Sequence, residues 1–215
     1  MRQRGFKIKM RFKTIAQNVQ VEFVERKSRF IASVFRVENQ HEVNTFLDKV
    51  RKEFYDATHN VYAYTYGIEY PVQKYSDDGE PQGTAGLPVM EVIRKSNVSN
   101  VLIVVTRYFG GILLGASGLV RAYTQAASLG LEKAGILEYH ECEEVVLSIE
   151  YSDFEKIKWL TSKFNTKIEK IEYSQVVDLS LAIKKEEVDD FIKNVSDITS
   201  GNFLADKKGI VLKAI

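Results

Sequence analysis

The sequence predicts a two-domain protein of the α+β class, and three observations support this prediction. Its 215 residues exceed the roughly 100 to 150 residues of a typical single domain. Strand-like and helix-like segments alternate through residues 1–140, as expected of an α/β sandwich. A shorter pattern then follows, in which six segments take the order βαββαβ, typical of a ferredoxin-like domain. We therefore place the domains at residues 1–140 and 141–215.

The first half begins with strands and one helix. Apolar-rich runs at 19–25 and 29–37 predict a hairpin or a sharply bent strand pair. Apolar residues at helical spacing predict a helix over 40–54. Aromatic and β-branched residues predict a strand over 59–67.

A polar loop, a helix and a buried strand come next. Turn-forming residues predict a loop over 75–83. Thr84 is expected to cap a helix that ends near Lys95. The run at 100–107 is almost entirely apolar, which predicts a central strand covered on both faces. One apolar face then predicts a helix over 117–134.

The second half contains the six shorter segments. We predict strands at 144–151, 166–173, 176–183 and 202–212, with helices at 153–164 and 185–195. The junction between the halves is placed at 139–141, without a long linker.

The charge balance limits the kinds of partner. Thirty basic and 29 acidic residues give a net charge of +1, so nucleic acid would need a local basic patch. Residues 1–13, which contain basic residues and no acidic one, are one candidate. An unstructured basic start and initiation at Met10 are favoured over an RNA-binding arm, and whether residues before Met10 belong to the native protein stays open.

We expect a cytoplasmic protein that does not enter a membrane. The sequence has neither the roughly 7 to 15 apolar residues at the core of a secretory signal nor the about 20 of a membrane helix. Cys142 is the single cysteine, which excludes an internal disulfide and a cysteine-rich zinc site.

The glycine-rich joint RYFGGILLGASGLVRAY, residues 107–123, is the first candidate site. Gly110 and Gly111 permit close backbone approach, and the following helix offers free N–H groups to an anion such as phosphate. The sequence lacks the P-loop and dinucleotide-binding motifs. Because a tight strand-to-helix turn needs the same glycines, the structural and anion-binding interpretations both stay open.

The acidic loop is the second candidate. Asp77, Asp78 and Glu80 could hold Mg²⁺ or interact with the dipole of the following helix. Without a second acidic cluster or a positioned nucleophile, an ionic partner for Arg107 or Arg121 is favoured. We predict no metal site, no cofactor and no catalytic residue.

Other residues indicate binding more than catalysis. No Gly-x-Ser-x-Gly elbow is present, and His59 at a strand start is typical of a structural histidine. The aromatic residues nearby could stack on bases or anchor a protein, although the sheet core is their default place. They are Tyr62, Tyr64, Tyr66, Tyr75, Tyr108 and Phe109.

Four segments resemble the signature blocks of the IMPACT family, in its bacterial YigZ-like branch. They are KSRFIA (27–32), HNVYAY (59–64), YSDDGEPQGTAGLP (75–88) and VVTRYFGGILLGASGLVRAY (104–123). The family often has Cys at Val61 and Lys at Leu113, and the loss of that lysine weakens a phosphate site.

The resemblance implies a fold and a role. The first domain is expected to be similar to a domain of a small-subunit ribosomal protein and to the GHMP kinase superfold, and the second to the ferredoxin-like domains of elongation factor G. Eukaryotic relatives regulate translation by binding the ribosome-associated activator of the amino-acid-starvation kinase. Bacterial members have no established activity.

We therefore predict a non-enzymatic, translation-associated regulatory protein that recognises RNA, the ribosome or a translation-related protein. The predicted binding residues are Asp77, Asp78, Glu80, Thr84, Arg107, Tyr108, Gly110, Gly111, Arg121, His59 and Asn60. The alternative is a nucleotide-dependent phosphoryl-transfer enzyme, with the glycine joint on the phosphates and the acidic loop on Mg²⁺. The oligomeric state is left open.

Overall fold

The computed structural model describes residues 11–215, which fall into two compact units. The first unit spans Phe12–Leu137, and the second contains Glu138–Ile215. The basic stretch 1–13 lies mostly outside the described residues. Within the described range, no helix combines the length and apolar character needed to cross a membrane.

An antiparallel sheet forms the centre of the first unit. Its strands are β2 (Val19–Glu25), β3 (Ser28–Arg36), β4 (His59–Tyr66), β5 (Val72–Ser76) and β6 (Val101–Tyr108), preceded in sequence by a short strand β1 (Phe12–Ile15). The spatial order is β2–β3–β6–β4–β5. The predicted hairpin is confirmed by the antiparallel pairing of β2 with β3, and the predicted central strand by the position of β6 between β3 and β4.

Helices cover both faces of this sheet. Helix α1 (Gln40–Glu53) contributes Val43 and Leu47 to a cluster that also contains Leu102 and Val104 of β6. Helices α2 (Gly86–Lys95) and α3 (Gly115–Ala134) pack on the other face, in a cluster with Ile103. Alternate residues of a strand point to opposite faces, so β6 is apolar throughout because both of its faces are buried.

The start of α2 corrects one prediction. Thr84 does not cap the helix; its hydroxyl donates to the Pro81 carbonyl at 2.6 Å. The cap is supplied by Asp77, which accepts from the N–H groups of Ala85 at 3.1 Å and Gly86 at 2.8 Å. The acidic loop folds back on itself, so a carboxylate distant in sequence reaches the positive end of the helix.

The second unit contains the predicted βαββαβ order. Its elements are β7 (Ile136–Ile149), α4 (Phe154–Thr161), β8 (Thr166–Tyr173), β9 (Val177–Lys184), α5 (Val188–Thr199) and β10 (Leu204–Ala214). These strands pair antiparallel in the order β10–β7–β9–β8. Strand β7 begins earlier than predicted and runs through the predicted junction at 139–141, where the buried His140 and Cys142 alternate with the partly buried Glu141 and Glu143.

Candidate functional site

A cleft opens in the first unit where β6 ends and α3 begins. Its volume is about 410 Å³, within the usual range for a small-ligand pocket. One side is formed by the acidic loop at Gly79 and Glu80, and another by the start of β4 at His59. The glycine joint and the first residues of α3 close the third side, with Gly115 and Ala116 facing the cleft.

The floor of the cleft holds a buried ion pair. Arg107 donates from Nη1 to Oε1 of Glu80 at 2.7 Å, and the side chains are only 6% and 4% exposed. A second guanidinium nitrogen donates to the Ser28 hydroxyl at 3.3 Å. The guanidinium carbon lies 5.5 Å from the ring centre of Phe30 and 5.6 Å from that of Phe109, a distance suited to a cation–π contact. Glu80 is thus the ionic partner expected for an arginine at this joint.

Two further groups surround the Glu80 carboxylate. The Tyr123 hydroxyl donates to Oε1 of Glu80 at 2.7 Å, and burial raises the pKa of Tyr123 above its usual value, which keeps the hydroxyl protonated. His59 Nδ1 lies 2.8 Å from the Asp78 carbonyl. Because a carbonyl only accepts, Nδ1 must carry a proton. The other ring nitrogen, Nε2, lies 3.8 Å from Glu80.

The remaining polar residues of the predicted site organise the loop itself. Asp78 accepts from the backbone N–H of Asn60 at 2.6 Å, and the Asn60 side chain accepts from the Thr106 hydroxyl at 2.7 Å. The Asp77 carboxylate accepts hydrogen bonds from the backbone at the start of α2. In residues 11–215, no three His, Cys, Asp or Glu side chains are grouped to hold a metal ion.

The first two glycines of the joint have distinct structural roles. A Cβ added at Gly110 would lie 2.0 Å from the Lys27 carbonyl carbon, and the Gly110 N–H donates to the Ser28 hydroxyl at 3.2 Å. Gly111 has a φ of +81° and open space around its Cα. Close packing explains glycine at position 110, and backbone conformation explains it at position 111.

The structure does not bring Tyr108 and Arg121 into the cleft with Arg107. Tyr108 follows Arg107 on β6, so its side chain points to the α1 face, where it donates to Asp56 at 2.7 Å. Arg121 is exposed on α3 and lines a separate pocket beside Arg26. Arg107 itself lines the cleft, but its guanidinium is buried and paired with Glu80.

The tyrosines of β4 have mainly a packing role in the sheet. Tyr62, Tyr64 and Tyr66 stack in a row, with ring centres 6.2 Å and 5.8 Å apart. Tyr64 is buried and donates to the Gln40 side chain at 2.8 Å. These rings pack on the α1 face, the default place for strand aromatics.

Sequence reasoning named Phe109 but missed the leucines of the cleft's apolar wall. Leu113 is 82% exposed and lines the cleft with Phe109, Leu114 and Leu119. The available signal was leucine in a glycine-rich turn, where a side chain has little access to the core. Tyr123 gave a second signal, because a hydroxyl on an apolar helical face needs a buried partner.

Comparisons with known proteins give matches in both halves of the chain. A profile described as the Impact N-terminal domain matches residues 26–131, and a domain of unknown function, DUF1949, matches residues 147–202. IMPACT family member YvyE of Bacillus subtilis is 37% identical, over 87% of this chain and 87% of its own. IMPACT family member YigZ of Escherichia coli is 34% identical, over 82% of this chain and 88% of its own. A crystal structure of a hypothetical protein superposes with a TM-score of 0.58 at 31% identity, covering 95% of this chain and 97% of that one.

Proposed function

The chain belongs to the IMPACT family, and from this membership we propose that it is a translation-associated regulatory binding protein. We propose further that the cleft receives an apolar part of a protein partner from the translation machinery. The observation that carries this proposal is the exposed apolar wall at Leu113 above an electrically neutral floor.

The charges of the cleft favour a protein over RNA at this place. Arg107 is the one permanently positive side chain among the described residues that line the cleft, and Glu80 neutralises it. A phosphate would therefore gain little there, since nucleic-acid affinity depends on free Lys and Arg side chains. An apolar anchor that enters a concave, partly apolar pocket is typical of protein interfaces.

Family membership supports the link to translation. The resemblance implies that eukaryotic relatives act through a protein partner on the ribosome, and this chain shares its first domain with them. Proteins named IMPACT in Danio rerio and in Dictyostelium discoideum match 42% of the chain. We propose the same mode for this protein, in the cytoplasm.

We also propose the finer fold assignment and the domain boundaries that the resemblance implies. The first domain, 1–140, would share the ribosomal-protein and GHMP-kinase superfold. The second, 141–215, would be similar to the ferredoxin-like domains of elongation factor G. The strand order β10–β7–β9–β8 with its βαββαβ connectivity supports the second assignment.

The geometry does not favour the phosphoryl-transfer alternative. The carboxylates of Asp77 and Asp78 accept hydrogen bonds from backbone N–H groups, and the Gly110 N–H is used by Ser28. Leu113 stands where a lysine would supply charge to a phosphate. The groups expected to hold a nucleotide are therefore engaged in the fold or replaced.

A capture experiment tests the proposed function. Immobilised protein is incubated with bacterial extract, before and after nuclease treatment, and retained translation proteins are identified by mass spectrometry. Retention should survive the nuclease, and Leu113→Glu should weaken it on the order of tenfold or more, as expected for an interface anchor. Val120→Glu is the matched control, because Val120 is also partly exposed on α3 but does not line the cleft. Retention that is lost with nuclease and unaffected by Leu113→Glu would contradict the proposal.

A further inference from the structure

We propose that the second unit carries a separate binding surface for single-stranded RNA, formed by α4, the turn before it and the end of β8. This surface consists of Tyr151, Phe154, Lys158, Trp159, Lys163 and Tyr173, and we refer to it as the α4 surface. It shares no residue with the cleft.

Exposed aromatic rings are the first observation. Trp159 is the single tryptophan of the chain and is 60% exposed, and Tyr151 and Tyr173 are 53% and 62% exposed. The two tyrosine rings stack on each other with centres 6.3 Å apart and planes inclined by 23°. Rings of this size are normally buried, whereas an exposed planar face is what a base needs for stacking.

Lysines that contact these rings are the second observation. Lys163 Nζ lies 5.1 Å from the Trp159 ring centre, and Lys158 Nζ lies 5.7 Å from that of Phe154. Phe154 and Lys158 are four residues apart on α4 and therefore lie on the same side of the helix, whereas Lys163 lies in the turn that follows α4. Each lysine thus brings a positive charge beside a ring, where a backbone phosphate would lie if a base stacked on that ring.

Lys158 and Lys163 differ from the neighbouring lysines, which form ion pairs with carboxylates. Lys156 pairs with Asp153 at 2.9 Å, and Lys170 pairs with Glu172 at 2.7 Å. Because Lys156 and Lys170 are engaged in these ion pairs, the attraction of the α4 surface for phosphate depends on Lys158 and Lys163, against the opposing charge of Glu155 on the same helix.

The aromatic residues form a connected row. Phe154 meets Tyr173 edge to face with centres 5.9 Å apart, and Tyr173 stacks on Tyr151. The row therefore runs from Lys158 through three rings, while Trp159 lies on another side of α4 and Lys163 in the turn after the helix. Exposed rings with lysines beside them favour single-stranded RNA over a protein partner, since a protein interface would bury a more continuous apolar centre.

Fluorescence of the full-length protein provides the test, because Trp159 is the only indole. A 12-nucleotide oligouridine is titrated into the protein at low salt, and the emission of Trp159 should be quenched as bases stack on it. Binding of the labelled RNA is measured in parallel by anisotropy. Trp159→Ala should weaken binding on the order of tenfold, while Trp159→Phe, which keeps a ring, should retain most of it.

Charge variants test the lysines separately. Lys158→Gln combined with Lys163→Gln should weaken binding on the order of tenfold and reduce the slope of log affinity against log salt by about 1.4. Lys156→Gln, on the same helix but paired with Asp153, is the matched control and should change affinity less than twofold. Leu113→Glu should leave RNA affinity unchanged, which makes failure of this proposal distinct from failure of the proposed function.

Three results would overturn the proposal. One is unchanged Trp159 emission across the titration. Another is equal weakening by Lys156→Gln and by the Lys158 and Lys163 pair. The third is a Trp159→Ala variant that binds RNA normally but loses a nuclease-resistant ribosomal protein, which would assign the α4 surface to a protein partner.

Discussion

Arg107 on β6 and Glu80 in the acidic loop form an ion pair of 2.7 Å, in which both side chains are more than nine-tenths buried. The pair fastens a loop to the end of the central strand and forms the floor of the cleft. Tyr123 of α3 donates to the same carboxylate oxygen. Strand, loop and helix are therefore held at one point, and the shape of the cleft depends on it.

Breaking this pair should destabilise the protein strongly. Arg107→Met leaves the Glu80 carboxylate buried without its cation, and Glu80→Gln leaves the guanidinium without its anion. Each change should lower the free energy of unfolding by about 3 to 5 kcal/mol, measured by urea denaturation of the full chain. The combined variant should lose less than the sum of the two, because the second change removes the charge that the first leaves unpaired.

An exposed pair provides the control for this prediction. Arg94 contacts Glu91 at 2.8 Å on the surface of α2, and both side chains are well exposed. Arg94→Gln should change the free energy of unfolding by less than about 1 kcal/mol. Equal losses of unfolding free energy from Arg94→Gln and Arg107→Met would show that the buried pair contributes no more to stability than the exposed one.

Asp77, rather than Thr84, should dominate the start of α2. Its carboxylate accepts from three backbone N–H groups, those of Gly83, Ala85 and Gly86. Asp77→Ala should cost about 2 kcal/mol or more, because several donors lose their partner at once. Thr84→Val removes one hydroxyl that donates to Pro81 and should cost about 1 kcal/mol. Urea denaturation distinguishes the two, and a larger loss from Thr84→Val would contradict the capping role of Asp77.

The sequence predicted helices and strands well where the spacing of apolar residues determines the secondary structure. Helix α1 has apolar residues at helical spacing, and β6 has a continuous apolar run, so both could be placed to within one or two residues. The order βαββαβ followed from the same periods. Such patterns are local because each element must bury one face.

The site was less predictable because its contacts join residues that are distant in sequence. Nothing near Thr84 shows that Asp77 folds back to cap α2. The burial of Arg107 depends on Glu80, 27 residues away in sequence, and on the rings of Phe30 and Phe109 beside its guanidinium. Tyr108 was grouped with Arg107 because the two are adjacent, although adjacent residues of a strand lie on opposite faces.

The first two glycines of the joint should respond differently to alanine. At Gly110 an added Cβ would lie 2.0 Å from the Lys27 carbonyl carbon, so the β2–β3 turn would have to move. At Gly111 the space is open and the strain comes only from a φ of +81°, which costs an L-residue about 1 to 2 kcal/mol.

Thermal unfolding of the two variants tests this difference. Gly111→Ala should remain folded with a modest decrease in Tm, whereas Gly110→Ala should lose several times more stability or fail to fold. Similar Tm values for the two variants would contradict the tight packing of the joint against the turn at Lys27.

The stability of the protein at alkaline pH should depend on Tyr123. Burial first, and then the neighbouring Glu80 carboxylate, raise the pKa of Tyr123 above its usual value near 10. The folded state therefore keeps the phenol proton after the unfolded state has lost it, so the unfolded state binds fewer protons. The stabilisation is fully present below about pH 10 and is lost above it, at up to about 1.4 kcal/mol per pH unit.

Tyr123→Phe has no proton to lose at this position. Its free energy of unfolding should be lower at pH 8 by about 1 to 2 kcal/mol, because the hydrogen bond to Glu80 is lost, but it should fall less steeply between pH 10 and 11. Tyr108, whose pKa is also raised by burial and by Asp56, is present in both proteins and contributes equally to both slopes. Tyr55→Phe, at an exposed tyrosine, is the control and should keep the parent slope. Parallel curves for the parent and Tyr123→Phe would show that the Tyr123 hydroxyl does not stay protonated against Glu80.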